Sequence, residues 1–478
     1  MFTDGLTYQD SRMAWKEEYL SGLESFSLKD REAKSSGGPV VFQEGGKVFT
    51  ESGDSHTMII GDTGSMKTLR FVLPLIYSCA KAEESMVIVD PKGELAIKSN
   101  IFLKEQGYSI KIINLRKPQL SPDQWNPMDR VKRSWESGKE GQENAIIQLN
   151  DLLQTLFFSR STADKDKYWN ESAGQLALGI CELIALLGEE LSVKNLLYWR
   201  YENLPNGTLR NYFDSLPARN PVYQNLAGYM NLTAENTKSC ILSTFDQLVR
   251  VFKSSPALTR MLSKSSIDMD CIGVEKTAIF LVVPDEKTTF HFLATLFISQ
   301  CYEALLEKAD EYGGGLPRRV NFILEEFCNM PKLPDLLAML TAARSRNIRF
   351  HLVIQSYEQM VDKYGDHVSK TAMDNCGTLI YLHSRELSFL YYISQLAGTN
   401  EFGRPLLSVS RLQRIKKNET LIFRDRCYPY LAQDIPLIFE YPITLGDHLP
   451  TCEDSRDGFP HTRRPAARGS AGKWRNIA

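Results

Sequence analysis

No stretch of the 478-residue sequence comes near the ~18 uninterrupted apolar residues of a membrane-spanning helix. The opening MFTDGLTYQDSRMAWKEEYL holds no apolar signal core. Both absences are read as a cytoplasmic chain. Charge of one sign is lacking too. Lys and Arg total 56 against 58 for Asp and Glu, a formal net charge of −2. That excludes a protein that coats nucleic acid through bulk positive charge, and leaves such a partner only a local patch or an assembled channel. The nine cysteines are scattered, without a C-x-x-C pair or a zinc spacing. They are read as buried thiols of a reducing compartment, forming neither disulfide nor metal site. Seven histidines are dispersed without ligand spacing, no Ser/His/Asp or Cys/His arrangement is readable, and no internal repeat occurs.

What is present is ample apolar content, 43%, enough for two or three domain-sized units. Residues 1–36 form a polar segment, read as a helix over 9–22 followed by a loop. PVVFQEGGKVFTE gives two β-rich runs around Gly45-Gly46, a hairpin. HTMII (56–60), SMVIVD and SIKIINL (109–115) read as buried strands, alternating with helices as in an α/β fold with a parallel sheet. Pro74, inside KTLRFVLPLIYSCAKA, is expected to kink that helix or end its first turn. From 129 to 272 the pattern turns all-helical. Leu149, Leu153 and Leu156 share one helical spacing; Leu176, Ile180, Leu183 and Leu187 share another. Strands resume at 277–283, 320–324, 348–354 and 378–382, with 419–423 read as the last. This gives a first α/β part at 37–128, an all-α domain at 129–272, a second α/β part at 273–440, and a basic, disordered tail at 441–478.

Four features carry chemistry. The first is GDTGSMKT, Gly61, Asp62, Thr63, Gly64, Ser65, Met66, Lys67 and Thr68, between a strand and a helix. It matches the phosphate-binding loop G-x-x-x-x-G-K-[ST] except that Met66 replaces the second glycine. In such a loop backbone N–H groups cradle phosphate, the lysine reaches the β- and γ-phosphates, and the hydroxyl ligates Mg2+. A glycine-containing surface turn explains the same letters. The second is VNFILEEF, a strand that delivers Glu325 and Glu326 to its C-terminal end. The pair suits a metal-side acid and a water-polarising acid, or a solvated pair opening a helix. The third is AARSRNIRFHLVIQS. Its Gln355 ends a strand where a γ-phosphate could be sensed, and its Arg344 lies on a turn that could act across a subunit boundary. Arg346 and Arg349 read as ordinary surface arginines. The fourth is VIVDPKGEL, with Asp90, Lys92 and Glu94, a polar turn that could also support a nucleotide.

Taken in order, TGSMKT, VLPLIY, ESMVIVDPKGEL, QWNPM (124–128), YWNESAGQLALGI (168–180), LEEFCNMPKLPDLLAMLTAARSRNIRFHLVIQS (324–356) and ETLIFRDRCYPYLAQDIPLI resemble the type IV secretion coupling proteins. These are the TraG/TraD-like ATPases of conjugative DNA transfer. The resemblance implies a RecA-like P-loop NTPase domain with a mainly parallel sheet, interrupted by an all-α domain. It implies ATP and Mg2+ as ligands, and a homo-hexamer with a central channel. It further implies a coupling ATPase that recruits single-stranded DNA with its relaxase, or a secreted protein, and drives it to the secretion channel. Carried over by position, Lys67 and Thr68 hold phosphate and Mg2+, Glu325 is the metal-side acid, and Glu326 polarises water. Arg344 is the trans-acting arginine and Gln355 the polar sensor. Family members usually begin with a membrane span. This chain is therefore expected to sit at the inner face of the cell membrane through a separate membrane partner among the embedded secretion components, unless a span has been removed.

Met66 and Glu325 depart from the family pattern, and two rival readings follow: a catalytically impaired nucleotide-binding scaffold, and a soluble RecA-like DNA-pumping ATPase. The residue before the lysine lies where the loop enters the helix, so helical φ and ψ are expected at Met66, with its unbranched side chain routed outward. The Asn-Pro element favours the secretion branch over the soluble pump. DRVKRSW (129–135) and the basic tail are candidate DNA contacts, with ordinary solvated charge the plainer reading of both.

Overall fold

The computed structural model describes residues 11–158, 167–284, 286, 288–400 and 402–449. Twelve strands form among them. β1 (Glu24–Ser27), β2 (Val40–Glu44) and β3 (Lys47–Thr50) make a small antiparallel sheet in the order β1-β3-β2. The hairpin turns at Gly45-Gly46, both with positive φ. The main sheet has nine strands: β4 (Thr57–Gly61), β5 (Ser85–Asp90), β6 (Ser109–Asn114), β7 (Thr277–Val282), β8 (Val320–Leu324), β9 (Ile348–Ile354), β10 (Thr378–His383), β11 (Glu419–Arg424) and β12 (Tyr430–Gln433). Their order is β12-β11-β10-β4-β9-β8-β5-β7-β6. Pairing is parallel from β10 through β6, and β11 and β12 close one edge antiparallel.

Central strands of a parallel sheet are covered on both faces, so their sequences run apolar throughout instead of alternating with polar residues. The pleat still sorts the side chains. Val87 and Val89 of β5 join the core that continues into Trp125, Leu149, Ile180 and Phe297, whereas Met86 and Ile88 join the core under the helix Leu73–Lys81. One face of the sheet is thus continuous with the helical block, and the other is closed by the first helix and the small sheet. Tyr19 supports that closure. It is fully buried, stacks on Tyr430 at 4.1 Å between ring centroids, and donates to the Val41 carbonyl. The ring thereby joins the small sheet to β12 of the main sheet.

Between Asn114 and Thr277 every regular element among the described residues is helical, from Asp129–Glu136 to Pro256–Met261. The QWNPM element is the joint. Asn126 is buried, donates to the Leu191 carbonyl at 2.8 Å and to Asp129 at 2.9 Å, and its backbone N–H reaches Ser265. Both ends of the helical block are thereby tied to one residue of the connecting chain. The described part of DRVKRSW is neutralised locally: Arg130 pairs with Glu303 and Glu307, Lys132 with Glu190, and Arg133 with Asp270.

Several expectations are corrected. The first helix spans only Lys16–Leu20, because Ser21 and Gly22 turn the chain into β1, where a loop was expected. Residues 9 and 10 of that expected helix lie outside the described residues. The strand at 419–424 is not the last, since YLAQ adds β12 on its far side. Arg349 is not a surface residue. It is 1% exposed, donates to Asn321 Oδ1 (3.0 Å) and the Gly53 carbonyl (3.1 Å), and pairs with Glu84. Cys240 is exposed, and Cys271 and Cys427 are half-buried, so not all thiols are interior. Pro74, expected to kink its helix or mark the end of the first turn, does follow the end of a first turn, and the helix runs on beyond it. A π-turn over Thr68–Val72 precedes it, with the Leu73 N–H reaching Thr68 O. Pro74 then falls in the first turn of Leu73–Lys81, where an N–H is dispensable. Residues 441–449 pack back: Tyr441 is buried, and the Asn100 amide donates to the His448 carbonyl at 3.2 Å. The disorder expected beyond 450 lies outside the described residues. No helix among the described residues is long and apolar enough to cross a membrane.

Candidate nucleotide site

Five adjacent parallel strands, β10, β4, β9, β8 and β5, end with His383, Gly61, Gln355, Glu325-Glu326 and Asp90 on the same side of the sheet. Open α/β sheets bind ligands at this carboxyl edge. The loop leaving β4 packs tightly on itself. A Cβ on Gly61 would stand 2.6 Å from Ser65 Oγ, so only glycine fits there. Gly64 has φ +84°, which glycine adopts without cost. Ser65 Oγ donates to the Asp62 carbonyl at 2.7 Å. Lys67, nearly buried, donates to the carbonyls of Gly61 and Asp62.

Met66 departs from expectation. Its φ is +66°, in the left-handed region, whereas helical angles were expected. The Met66 carbonyl still accepts from Arg70 N at 2.9 Å, the first bond of the helical run that follows. A non-glycine residue there costs about 1–2 kcal/mol. Its side chain is 37% exposed and so does turn outward.

The acidic pair meets the loop directly. Thr68 Oγ1 donates to Glu325 Oε1 at 2.6 Å. A hydroxyl and a carboxylate so placed, with the buried Asp90 carboxyl on the neighbouring strand, form a set of hard oxygen donors suited to Mg2+ with its water shell. The residues present fit such an ion. Burial pushes the Glu325 carboxyl up to about 7, the Thr68 bond opposing the shift and the Asp90 and Glu326 charges adding to it. Burial likewise raises Asp90 to about 6, against backbone N–H donors from Gly93, Leu95 and Ala96. Asp90 Oδ2 accepts from Ala96 N at 2.8 Å, while its buried Oδ1 has no partner. Burial lowers Lys67, against Glu326, Glu325 and Asp62, which favour its charge. Two buried carboxyls and a buried ammonium therefore hold their charges reluctantly, the condition of a site completed by a charged ligand.

Glu326 has φ +52°, a second strained non-glycine residue at the same edge. It accepts from Gln355 Nε2 at 2.6 Å, and Gln355 Oε1 accepts from Thr63 Oγ1 at 3.0 Å. The candidates read from the sequence, Gly61 through Thr68, Glu325, Glu326 and Gln355, thus come together. Arg344 does not join them. It lies on the turn before β9, at the opposite end of the sheet, half-exposed and paired with Asp54 at 3.1 Å. The seven residues of β9 separate it from Gln355 by roughly 23 Å. Arg346 lies beside it, half-buried, donating to Ala342 O.

His383 was missed. Its Nδ1 lies 2.8 Å from Asp62 Oδ2, and its carbonyl accepts from Asp62 N, so two contacts pin the second loop residue to β10. The available signal was its position, the last letter of a buried strand; nothing in the sequence said that β10 borders β4.

Fold and site together define a P-loop NTPase of RecA-like architecture. The chain belongs to the type IV secretory system conjugative DNA transfer family, whose model matches residues 10–420. It is 22% identical over 432 residues to the probable conjugal transfer protein TraG of Sinorhizobium fredii (strain NBRC 101917 / NGR234), covering 84% of this chain and 64% of that protein. It is 22% identical over 357 residues to the type IV secretion system-coupling protein VirD4 of Bartonella quintana (strain Toulouse), covering 72% and 53%. The chain thus spans between half and two-thirds of the length of these curated relatives. Among solved structures, the plasmid coupling protein TrwB in complex with the ATP analogue ADPNP superposes with a TM-score of 0.62, at 16% identity, covering 89% of this chain and 93% of that one. TrwB in complex with ADP and Mg2+ gives 0.60 at 15%, covering 89% and 94%.

Proposed function

We propose that this chain binds ATP with Mg2+ at Gly61–Thr68 and hydrolyses it as the coupling ATPase of a conjugation or type IV secretion system. The motor is residues 37–128 with 273–440, and 129–272 is its helical insertion. The observation that carries the reading is the 2.6 Å contact between Thr68 and Glu325, which joins the phosphate loop to the acidic pair across the sheet edge. The backbone N–H groups of the loop cradle the β-phosphate, and Lys67 leaves the Gly61 and Asp62 carbonyls to bridge the β- and γ-phosphates. Thr68 and Glu325 hold Mg2+, which when bound neutralises charge developing between those phosphates. Glu326 accepts a proton from the attacking water. The new bond forms to the γ-phosphorus, and the electrons of the broken bond leave on the bridging oxygen of ADP. Gln355 orients toward the γ-phosphate. Arg344 is too far from its own loop and serves the site of a neighbouring subunit, in keeping with a homo-hexamer. The driven substrate is single-stranded DNA with its relaxase or a secreted protein, handed to membrane-embedded components of the secretion system.

One observation favours the scaffold reading: the left-handed backbone at Met66, a strain glycine would avoid. The deciding experiment is ATPase activity of wild type, Lys67→Ala and Met66→Gly, with and without single-stranded DNA. The coupling reading requires turnover that Lys67→Ala abolishes. Equal background in all three assigns the chain to the scaffold.

A further inference from the structure

The contact Thr63–Gln355–Glu326 runs from the tip of the phosphate loop to the proposed proton acceptor, and its chemistry fixes its direction. A carboxylate only accepts, so the Gln355 group facing Glu326 at 2.6 Å must be the NH2. That turns Oε1 toward Thr63, whose hydroxyl donates to it at 3.0 Å. Were the amide flipped, its oxygen would confront the carboxylate without a proton between them. The Glu326 carboxylate therefore fixes the orientation of the amide, and the Thr63 hydroxyl, able to donate or accept, donates to the Oε1 so presented and adds a second bond to the same side-chain position.

The backbone on both sides of this chain of bonds is held by side chains. Beyond β9 the backbone is held by Glu386 Oε2, which accepts from Tyr357 N (3.0 Å) and Glu358 N (3.1 Å), and by Ser356 Oγ, which accepts from Gln359 N (3.1 Å). On the loop side Asp62 is pinned by His383 and by Ser65. The freedom that remains is rotation of the Gln355 side chain between its present partners and the space over the loop.

We infer that Thr63 is a positioning residue that acts through Gln355. Its hydroxyl keeps the Gln355 amide on the Glu326 carboxylate until a γ-phosphate draws that amide away, so the proton acceptor is released only when ATP, not ADP, fills the loop. This rests on the nucleotide reading above. A γ-phosphate oxygen carries more charge than a shared carboxylate oxygen and is the stronger acceptor for Nε2. The turn costs the Thr63 bond, and that cost is what a substitution at Thr63 changes.

The test is competition of ATP and of ADP against a fluorescent nucleotide analogue, with Mg2+, on the full chain. The variants are Thr63→Val, Thr63→Ser, Gln355→Ala and Thr63→Val with Gln355→Ala. Thr63→Val keeps the backbone N–H and the shape but removes the hydroxyl, so the preference for ATP over ADP rises about threefold to tenfold, the worth of one neutral hydrogen bond. Thr63→Ser matches wild type. In the Gln355→Ala background Thr63→Val changes nothing, since the residue it acts through is gone. The inference is overturned if Thr63→Val leaves the preference unchanged or lowers it, if its effect persists without Gln355, or if Thr63→Ser behaves like Thr63→Val. Loss of Lys67-dependent binding in wild type is a different result and overturns the nucleotide reading with it.

Discussion

Replacing Arg349 with leucine removes a charge from the interior of the sheet, and the structure sets the size of the effect. The guanidinium is 1% exposed and makes three contacts, to Glu84, Asn321 Oδ1 and Gly53 O. Breaking a buried pair by deleting one partner costs about 3–5 kcal/mol, because the remaining charge stays buried without compensation. Here Glu84 keeps the Asn321 amide at 2.9 Å and Arg319 at 3.4 Å, which places the loss near 3 kcal/mol. Glu84 precedes β5, Asn321 lies on β8 and Arg349 on β9, so the loss concentrates on three adjacent strands. Amide hydrogen exchange reads it without requiring reversible unfolding. Protection of the β5, β8 and β9 amides should fall by about 150-fold relative to wild type. Adding Glu84→Gln should recover more than half of that, since the stranded charge is the main cost. Protection falling less than threefold, or the two substitutions adding independently, would refute the placement of Arg349 as a buried structural cation.

Other outcomes follow from the same geometry. Glu325, raised to about 7 from 4.5, ionises less readily in the fold than in the unfolded chain, so ligand-free stability should decline as pH rises through that interval and stay low above it. The Mg2+ contribution to ATP affinity runs the other way, fading about tenfold per pH unit below 7, and Glu325→Gln should flatten both trends. Met66→Gly relieves about 1–2 kcal/mol of left-handed strain, offset by about 0.5–1 kcal/mol of glycine's entropy in the unfolded chain, a net gain below about 1.5 kcal/mol in thermal or denaturant midpoint. Its effect on ATP affinity should stay within about threefold, and a hundredfold gain would mean that the methionine side chain blocks the cradle. Mixing Lys67→Ala with Arg344→Ala subunits should restore up to about a quarter of wild-type ATPase, since some interfaces then pair an intact loop with an intact neighbouring arginine. No recovery would place Arg344 in its own subunit's chemistry.

Much of the site was legible because it is written in local order: a strand, then the letters at its carboxyl end. Gly61 to Thr68, Glu325-Glu326 and Gln355 all follow buried runs, and a parallel sheet carries such positions to one edge. What was not legible depends on which strands are neighbours. His383 reaches Asp62 only because β10 lies beside β4, and Arg349 finds Glu84 only because β9, β8 and β5 are adjacent. Arg349 in IRFHLVI looks like a solvent-facing residue at a strand's start; its partner lies 265 positions away. The backbone at Met66 was misjudged for another reason. A loop entering a helix usually offers helical angles, but here a methionine takes the left-handed angle that favours glycine.

Equilibrium binding of ATP with Mg2+ to wild type and Lys67→Ala tests the central claim most directly, that Gly61–Thr68 is a working nucleotide site despite Met66. Saturable binding that Lys67→Ala weakens at least about tenfold, and that Thr68→Ala makes insensitive to Mg2+, is the predicted result. Binding absent at millimolar nucleotide, or unchanged in Lys67→Ala, would contradict it.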